Sequence, residues 1–226
     1  MYKYILALLI LLSASVSFSQ RDKNDYHKGK NNQGVLKYDI VVKMIDSTSQ
    51  VPYDVNLFPG SSLDIYFSVK RTKITLNLEG VLSMSVIADY RNNKGLKLFK
   101  SQQGNFAIPC SADEAKLKQN KNYDNQQVVL IDETREILGF KCKKAFVFNG
   151  EKEMEYWYTE DISFDFSDLN LINTPLPGFP LIFSTESNGM LMTYEIKSIE
   201  QVVQNKDDVF SIMVPEGYEI TEDPNK

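Results

Sequence analysis

The chain is predicted to be mainly β, folded as a single curved antiparallel sheet or a partly closed barrel with one or two short helices. Three observations carry this expectation. Apolar and polar residues alternate with period two over most of the chain after Val35, the pattern of half-buried strands. Short turns rich in Gly and Asn separate these runs, which suits a meander, and clean alternation implies antiparallel strands with one wetter face. Thirteen Phe and twelve Tyr suit broad sheet faces.

Residues 1–19 stand apart from this pattern. Lys3 gives a short positive start, Ile5 to Leu12 run apolar without interruption, and Ser17-Phe18-Ser19 offers small residues for cleavage after Ser19. The run is far shorter than the roughly 20 residues of a spanning helix, so a cleaved signal peptide is expected rather than an anchor. No cysteine follows it and no second apolar span occurs, so the mature chain is expected to be periplasmic or secreted, without a membrane span. Residues 20–33 form a polar lead that cannot repay its ordering entropy. A single β-rich domain over 34–221 and a short disordered tail, 222–226, complete the expected organisation.

Taken in order, Val35 to Ile45 is the first strand. Leu63 to Arg71 alternates Leu63, Ile65, Phe67 and Val69 against Asp64, Tyr66, Ser68 and Lys70, and Ile74, Leu76 and Leu78 continue the pattern. Glu79-Gly80 turns into a strand faced by Leu82, Met84, Val86 and Ala88. Asn92-Asn93-Lys94-Gly95 turns again into Leu96 to Phe99. Ser111 to Lys118 begins with an N-cap residue and places acids before lysines, so a short helix is predicted there. After a polar loop, Asn120 to Gln127, strands resume over Val128 to Ile131 and Ile137 to Phe148. Met154, Tyr156 and Tyr158 then alternate against Glu153, Glu155 and Trp157. Leu181 to Glu186, a Ser187-Asn188-Gly189 turn, Met190 to Gln201 and a last strand, Val209 to Val214, close the chain.

Composition and motifs exclude several functions. The net charge of −5, without a clustered basic face, argues against a nucleic-acid partner. The one histidine, His27, lies in the polar lead, so mechanisms needing an oriented imidazole are not expected. Histidine-rich or four-cysteine zinc sites cannot be assembled, and no cofactor is predicted. Asp161, Asp165 and Asp168 lack the glycine hinge and terminal Glu of an EF-hand loop, and read as acids on a solvated loop. Asp132-Glu133 and Glu153/Glu155 are carboxylate pairs that could support glycoside hydrolysis at a suitable separation, or simply keep an edge soluble. Lys70-Arg71 with Lys73, and Lys141 with Lys143-Lys144, read as outward faces or edge protection. Cys110 and Cys142 are expected to form a disulfide closing a loop of about 30 residues, worth about 3 kcal/mol; two buried thiols or a redox pair are the alternatives, the last without Cys-x-x-Cys spacing.

The segment Glu155 to Ile162, followed by Thr174-Pro175-Leu176-Pro177-Gly178-Phe179-Pro180-Leu181-Ile182, is an aromatic strand leading into a loop that proline and glycine should give one defined shape. Trp157, the only Trp, is out of phase with Tyr156 and Tyr158 and either points into a cavity or packs under this loop. Together with Asp132 to Ala145 (DETREILGFKCKKA) and Val214-Pro215-Glu216-Gly217-Tyr218, these segments resemble the GLPGLI family of exported Bacteroidetes proteins over most of the mature chain. The naming hexapeptide departs here: Pro175 and Phe179 stand for its first glycine and second leucine, and Pro180 is inserted. The resemblance implies an exported fold with no assigned catalytic residues. A curved sheet with a short helix over its mouth also resembles lipoprotein-carrier folds, whose concave face shelters acyl chains.

A non-enzymatic binding or carrier module for a hydrophobic small molecule or lipid is therefore expected. Its apolar face would draw on Phe67, Val69, Leu76, Met84, Met192 and Tyr194, with flexible Met suiting a forgiving pocket. The candidate binding residues are Trp157, Leu176, Pro177, Gly178, Phe179, Met84 and Met192. The alternative is a structural or interaction protein that docks to an envelope protein through the loop 174–182. Exposure of Phe179 would favour docking and its burial would count against it.

Overall fold

The computed structural model describes residues 32–45, 56–115, 126–150, 152–162, 176–187 and 189–222. The expected signal peptide, most of the polar lead with His27, Lys116 to Lys118, Asp165, Asp168, Thr174 and Pro175 lie outside them. The chain is mainly β. Its strands are β1 (Gly34–Met44), β2 (Ser62–Ser68), β3 (Arg71–Leu78), β4 (Leu82–Asp89), β5 (Lys94–Ser101), β6 (Gly104–Cys110), β7 (Gln127–Ile137), β8 (Phe140–Asn149), β9 (Lys152–Thr159), β10 (Phe179–Ser187), β11 (Met190–Glu200) and β12 (Glu219–Ile220). Two short helices, α1 (Ala112–Ala115) and α2 (Lys206–Val209), accompany them. All join one sheet in the order β12-β6-β5-β4-β3-β2-β1-β11-β10-β9-β8-β7, and the predicted single sheet with short helices holds. The hairpin neighbours are antiparallel, while β12 lies parallel to β6.

Two compact units share this sheet. The meander unit takes in Asn31–Ile40, Phe58–Lys116 and Lys197–Lys226. Its core is built from cross-strand rows that the alternation dictates. Tyr38 faces Leu63, Leu76, Met84 and Phe99 in turn along one row. Leu36, Ile65, Ile74 and Val86 form the next, and nearly every member of both rows is buried. Burying such side chains at about 1.5–3 kcal/mol each is what fixes the register, because a one-residue slip would turn the whole set outward. Small residues mark where neighbours come close. A Cβ on Gly34 would lie 2.7 Å from Phe67 Cζ, and one on Gly95 would lie 2.8 Å from Ala115 Cβ, where α1 sits against the strand.

The helix prediction holds over Ala112–Ala115 through a capping box. Ser111 Oγ accepts from Glu114 N at 3.2 Å, and Glu114 Oε2 accepts from Ser111 N at 2.9 Å. Two strand boundaries differ from expectation. Leu63 to Arg71 is broken by a turn at Val69 and Lys70, with Lys70 at φ 59, so Val69 is 48% exposed and leaves the apolar face. No Gly, Asn or Pro announces that turn. The predicted strand Val209 to Val214 is instead the end of α2 and an irregular segment outside the ladder. Its alternation is real, because Ile212, Val214 and Tyr218 pack on Ile87, Leu96 and Ala107, while Phe210 joins Val35 and Val203. Period two reports which side chains are buried, not whether the backbone is paired.

The aromatic unit includes Val41–Leu57 and Leu117–Ile196. Here β7 and β8 run as one long hairpin through a two-residue turn at Leu138-Gly139, which the sequence reads as continuous strand from Ile137. A bulge between Ile131 and Thr134 adds Asp132 and Glu133 to β7, and another between Pro180 and Ile182 sets the register of β10. Pro180, which has no N–H to donate, sits at that irregularity, as strand prolines do.

Candidate functional site

The apolar face of the aromatic unit is built from β8 to β11. Pairing brings Ala145 opposite Tyr156, Tyr156 opposite Phe183, and Phe183 opposite Tyr194. The three rings stack: Phe183 lies 4.7 Å from Tyr194 at 11° and 6.1 Å from Tyr156 at 13°. Val147, Tyr158, Leu181, Met192 and Ile196 are also buried. Polar character is confined to a few points. Tyr194 Oη points to Met192 Sδ at 3.8 Å, and burial pushes its hydroxyl up to about 12, so it stays neutral. Of the predicted binding residues, Met192 belongs to this face, whereas Met84 belongs to the buried row of the meander unit, directly opposite Leu76.

Trp157 is on the opposite face of β9 and is 4% exposed. Charged groups clamp it. The Arg135 guanidinium lies 4.0 Å from the ring centroid and Lys144 Nζ 5.6 Å. Trp157 Nε1 donates to Glu155 Oε1 at 2.7 Å. Lys144 Nζ reaches Glu155 Oε2 at 3.1 Å and Glu133 Oε2 at 3.5 Å, the latter supplied by the β7 bulge. Burial works to raise the Glu155 carboxyl, but the Trp157 and Lys144 hydrogen bonds outweigh it and hold the group below its usual range. This network was invisible in the sequence, since it needs the register that sets Lys144 opposite Trp157 and Arg135 opposite Cys142. The out-of-phase Trp and the Lys143-Lys144 pair were its only signals.

The Pro/Gly loop turns inward. Leu176, Pro177 and Gly178 are half-buried and Phe179 is 7% exposed. A Cβ on Gly178 would lie 2.8 Å from the Thr159 carbonyl carbon and 2.9 Å from Tyr158 Cδ2. The burial of Phe179 counts against the docking expectation. At Gly178 the described part of the loop lies against β9, and glycine is what lets it approach.

The cysteine expectation is also corrected. No disulfide joins Cys110 and Cys142. Cys110 ends β6 and Cys142 lies in β8. Buried Cys142 directs its thiol to the Phe140 carbonyl at 3.4 Å, and burial pushes that thiol up. Among the described residues no cluster of His, Cys, Asp and Glu could hold a metal ion, and no helix is long and apolar enough to cross a membrane. The basic residues are engaged locally: Arg71 meets Asp207 at 3.4 Å and the Phe210 ring at 5.1 Å, and Lys143 meets Glu160 at 2.8 Å.

Residues 95–214 match the family described as N-glycanase peptide, N-terminal domain. The chain belongs to that family. The matched stretch holds the aromatic face, the Trp157 clamp and the Pro/Gly loop, and it excludes Met84. No curated protein matches by sequence. Among solved structures, PNGF-II in a C2 crystal form is 15% identical with a TM-score of 0.39, covering 84% of this chain. The chain spans about a third of the PNGF-II chain, 31% of its length. The lipoprotein LppX of Mycobacterium tuberculosis is 12% identical, covering 89% of this chain and 98% of its own, at a TM-score of 0.35. A LolA superfamily protein from Nitrosomonas europaea is 8% identical, covering 90% and 96%, at 0.23.

Proposed function

We propose that this chain is an exported, non-enzymatic binding or carrier module that holds a hydrophobic or lipid-like ligand against the aromatic face of β8 to β11. The stacked rings of Tyr156, Phe183 and Tyr194 beside Met192 carry this proposal. Flat rings and a thioether give an apolar surface that can re-pack around an acyl chain or a fused-ring ligand. The Tyr194 hydroxyl is neutral and satisfied by Met192 Sδ, which keeps the face apolar. Glu155, the carboxylate nearest the buried Trp157, is committed to Trp157 and Lys144, which suits a structural role better than proton transfer. The GLPGLI resemblance and the signal-like start accord with export, and no cofactor is assigned.

Titration with an apolar fluorescent probe, N-phenyl-1-naphthylamine, tests the proposal. Saturable binding that is displaced by a long-chain fatty acid and weakened by Met192→Gln is expected. An absence of saturable binding to the folded protein would overturn it. The family match favours one second reading, in which the module helps a glycan-cleaving partner domain engage its substrate. That reading predicts competition by a glycopeptide and none by the fatty acid.

A further inference from the structure

The tip of the β7–β8 hairpin combines two features that work against folding. Leu138 and Gly139 form the two-residue turn with φ at 50 and 81, the left-handed geometry for which Asn-Gly or Asp-Gly is the low-strain choice. The leucine placed there is also 50% exposed. Such local conflict marks positions kept for another purpose.

The surroundings indicate the purpose. The paired register of β8 with β9 starts at Lys143, opposite Tyr158. The pairs Glu136–Lys141 and Ile137–Phe140 extend past it as a two-stranded ribbon, beyond the buried Cys142. At its end Ile137, Leu138 and Phe140 make an apolar tip, the first and last half-buried. Directly behind them the exposed Glu136 and Lys141 face each other, a collar without net charge.

We propose that this tip inserts into the interfacial layer of a lipid bilayer and docks the module to a membrane surface. Three side chains on a convex hairpin fall well short of the about 800 Å² per partner that a stable protein interface uses. They suffice for weak, reversible insertion beside headgroups. A neutral collar on a chain of net charge −5 selects zwitterionic over anionic lipid. The inference rests on the carrier reading, since a protein exchanging a lipid-like ligand must meet a membrane.

Co-sedimentation of the full chain with phosphatidylcholine vesicles tests it. Wild-type protein should sediment, with little change between low and high salt. Leu138→Asn removes the apolar anchor while relieving the turn, so it should raise the melting temperature yet lower vesicle partitioning by about tenfold. Val202→Asn, at a comparably exposed apolar residue of the other unit, should leave partitioning unchanged. Failure of the wild type to sediment, binding that salt abolishes, or Leu138→Asn binding like wild type would each overturn the inference. If the naphthylamine probe binds saturably while vesicles do not, only the tip proposal falls; vesicle binding without probe binding removes the carrier reading instead.

Discussion

Replacing Gly178 with alanine tests whether the Pro/Gly loop is a packed plug. The added methyl would lie 2.8 Å from the Thr159 carbonyl carbon and 2.9 Å from Tyr158 Cδ2. Neither neighbour can yield cheaply, because Tyr158 and Thr159 are both 1% exposed and belong to β9. Overpacking of this kind costs typically 1–3 kcal/mol. A value of about 2 kcal/mol corresponds to a fall of roughly 4–8 °C in melting temperature for a chain of this size. Gly150→Ala is the matched control: its φ is 64 and a Cβ there meets nothing within 4 Å. Only the left-handed strain remains at Gly150, about 1 kcal/mol. Thermal unfolding followed by circular dichroism, with urea titration to check that the m-value is unchanged, measures both variants. If Gly178→Ala melted with the wild type, or fell no further than Gly150→Ala, the loop would not be packed as described and a docking role would return.

Other outcomes follow from the Trp157 clamp and the cysteines. The folded-state Glu155 carboxyl lies below its usual range, so its contribution is present above the unfolded value near 4.3 and is lost as pH falls through the lower folded value. Emission from Trp157, the only Trp, should therefore hold steady from pH 7 to about 5 and change only below about 4. Glu155→Gln should flatten this transition, and a midpoint above the ordinary carboxylate range would refute the assignment. Arg135→Ala should cost roughly 0.5–1 kcal/mol, the worth of an exposed cation–π contact, and shift that emission; an unchanged spectrum would contradict the clamp. Both cysteines should react with a thiol reagent in denaturant, whereas in the native state buried Cys142 should lag behind Cys110. A mass gain of two hydrogens on reduction would show a disulfide and refute that assignment.

Much of the meander unit was legible in the chain because its strands show period-two alternation of buried residues. Tyr38, Leu76 and Met84 alternate with polar neighbours, and all three are buried, as are Leu36, Ile65 and Val86 in the next row. Ser111 and Glu114 announced α1 through the local chemistry of its N-terminus. What stayed hidden depends on contacts that no local pattern encodes. The turns at Val69-Lys70 and Leu138-Gly139 use residues that do not favour left-handed backbone, apart from the one glycine. The segment from Phe210 to Tyr218 alternates like a strand because it lays side chains onto a sheet face, yet it pairs with no strand until β12. Pairing of Cys110 with Cys142 was judged from an export route that permits disulfides, and no local pattern can decide it. The Trp157 clamp appears only once the β7 bulge and the β8–β9 register are known.

The carrier reading is tested most directly by native mass spectrometry of the full chain purified without detergent, followed by organic extraction. The account predicts a bound apolar mass of lipid size, recovered in the extract and diminished in Met192→Gln. A clean ligand-free mass from folded protein, unchanged after incubation with long-chain fatty acid, would contradict it.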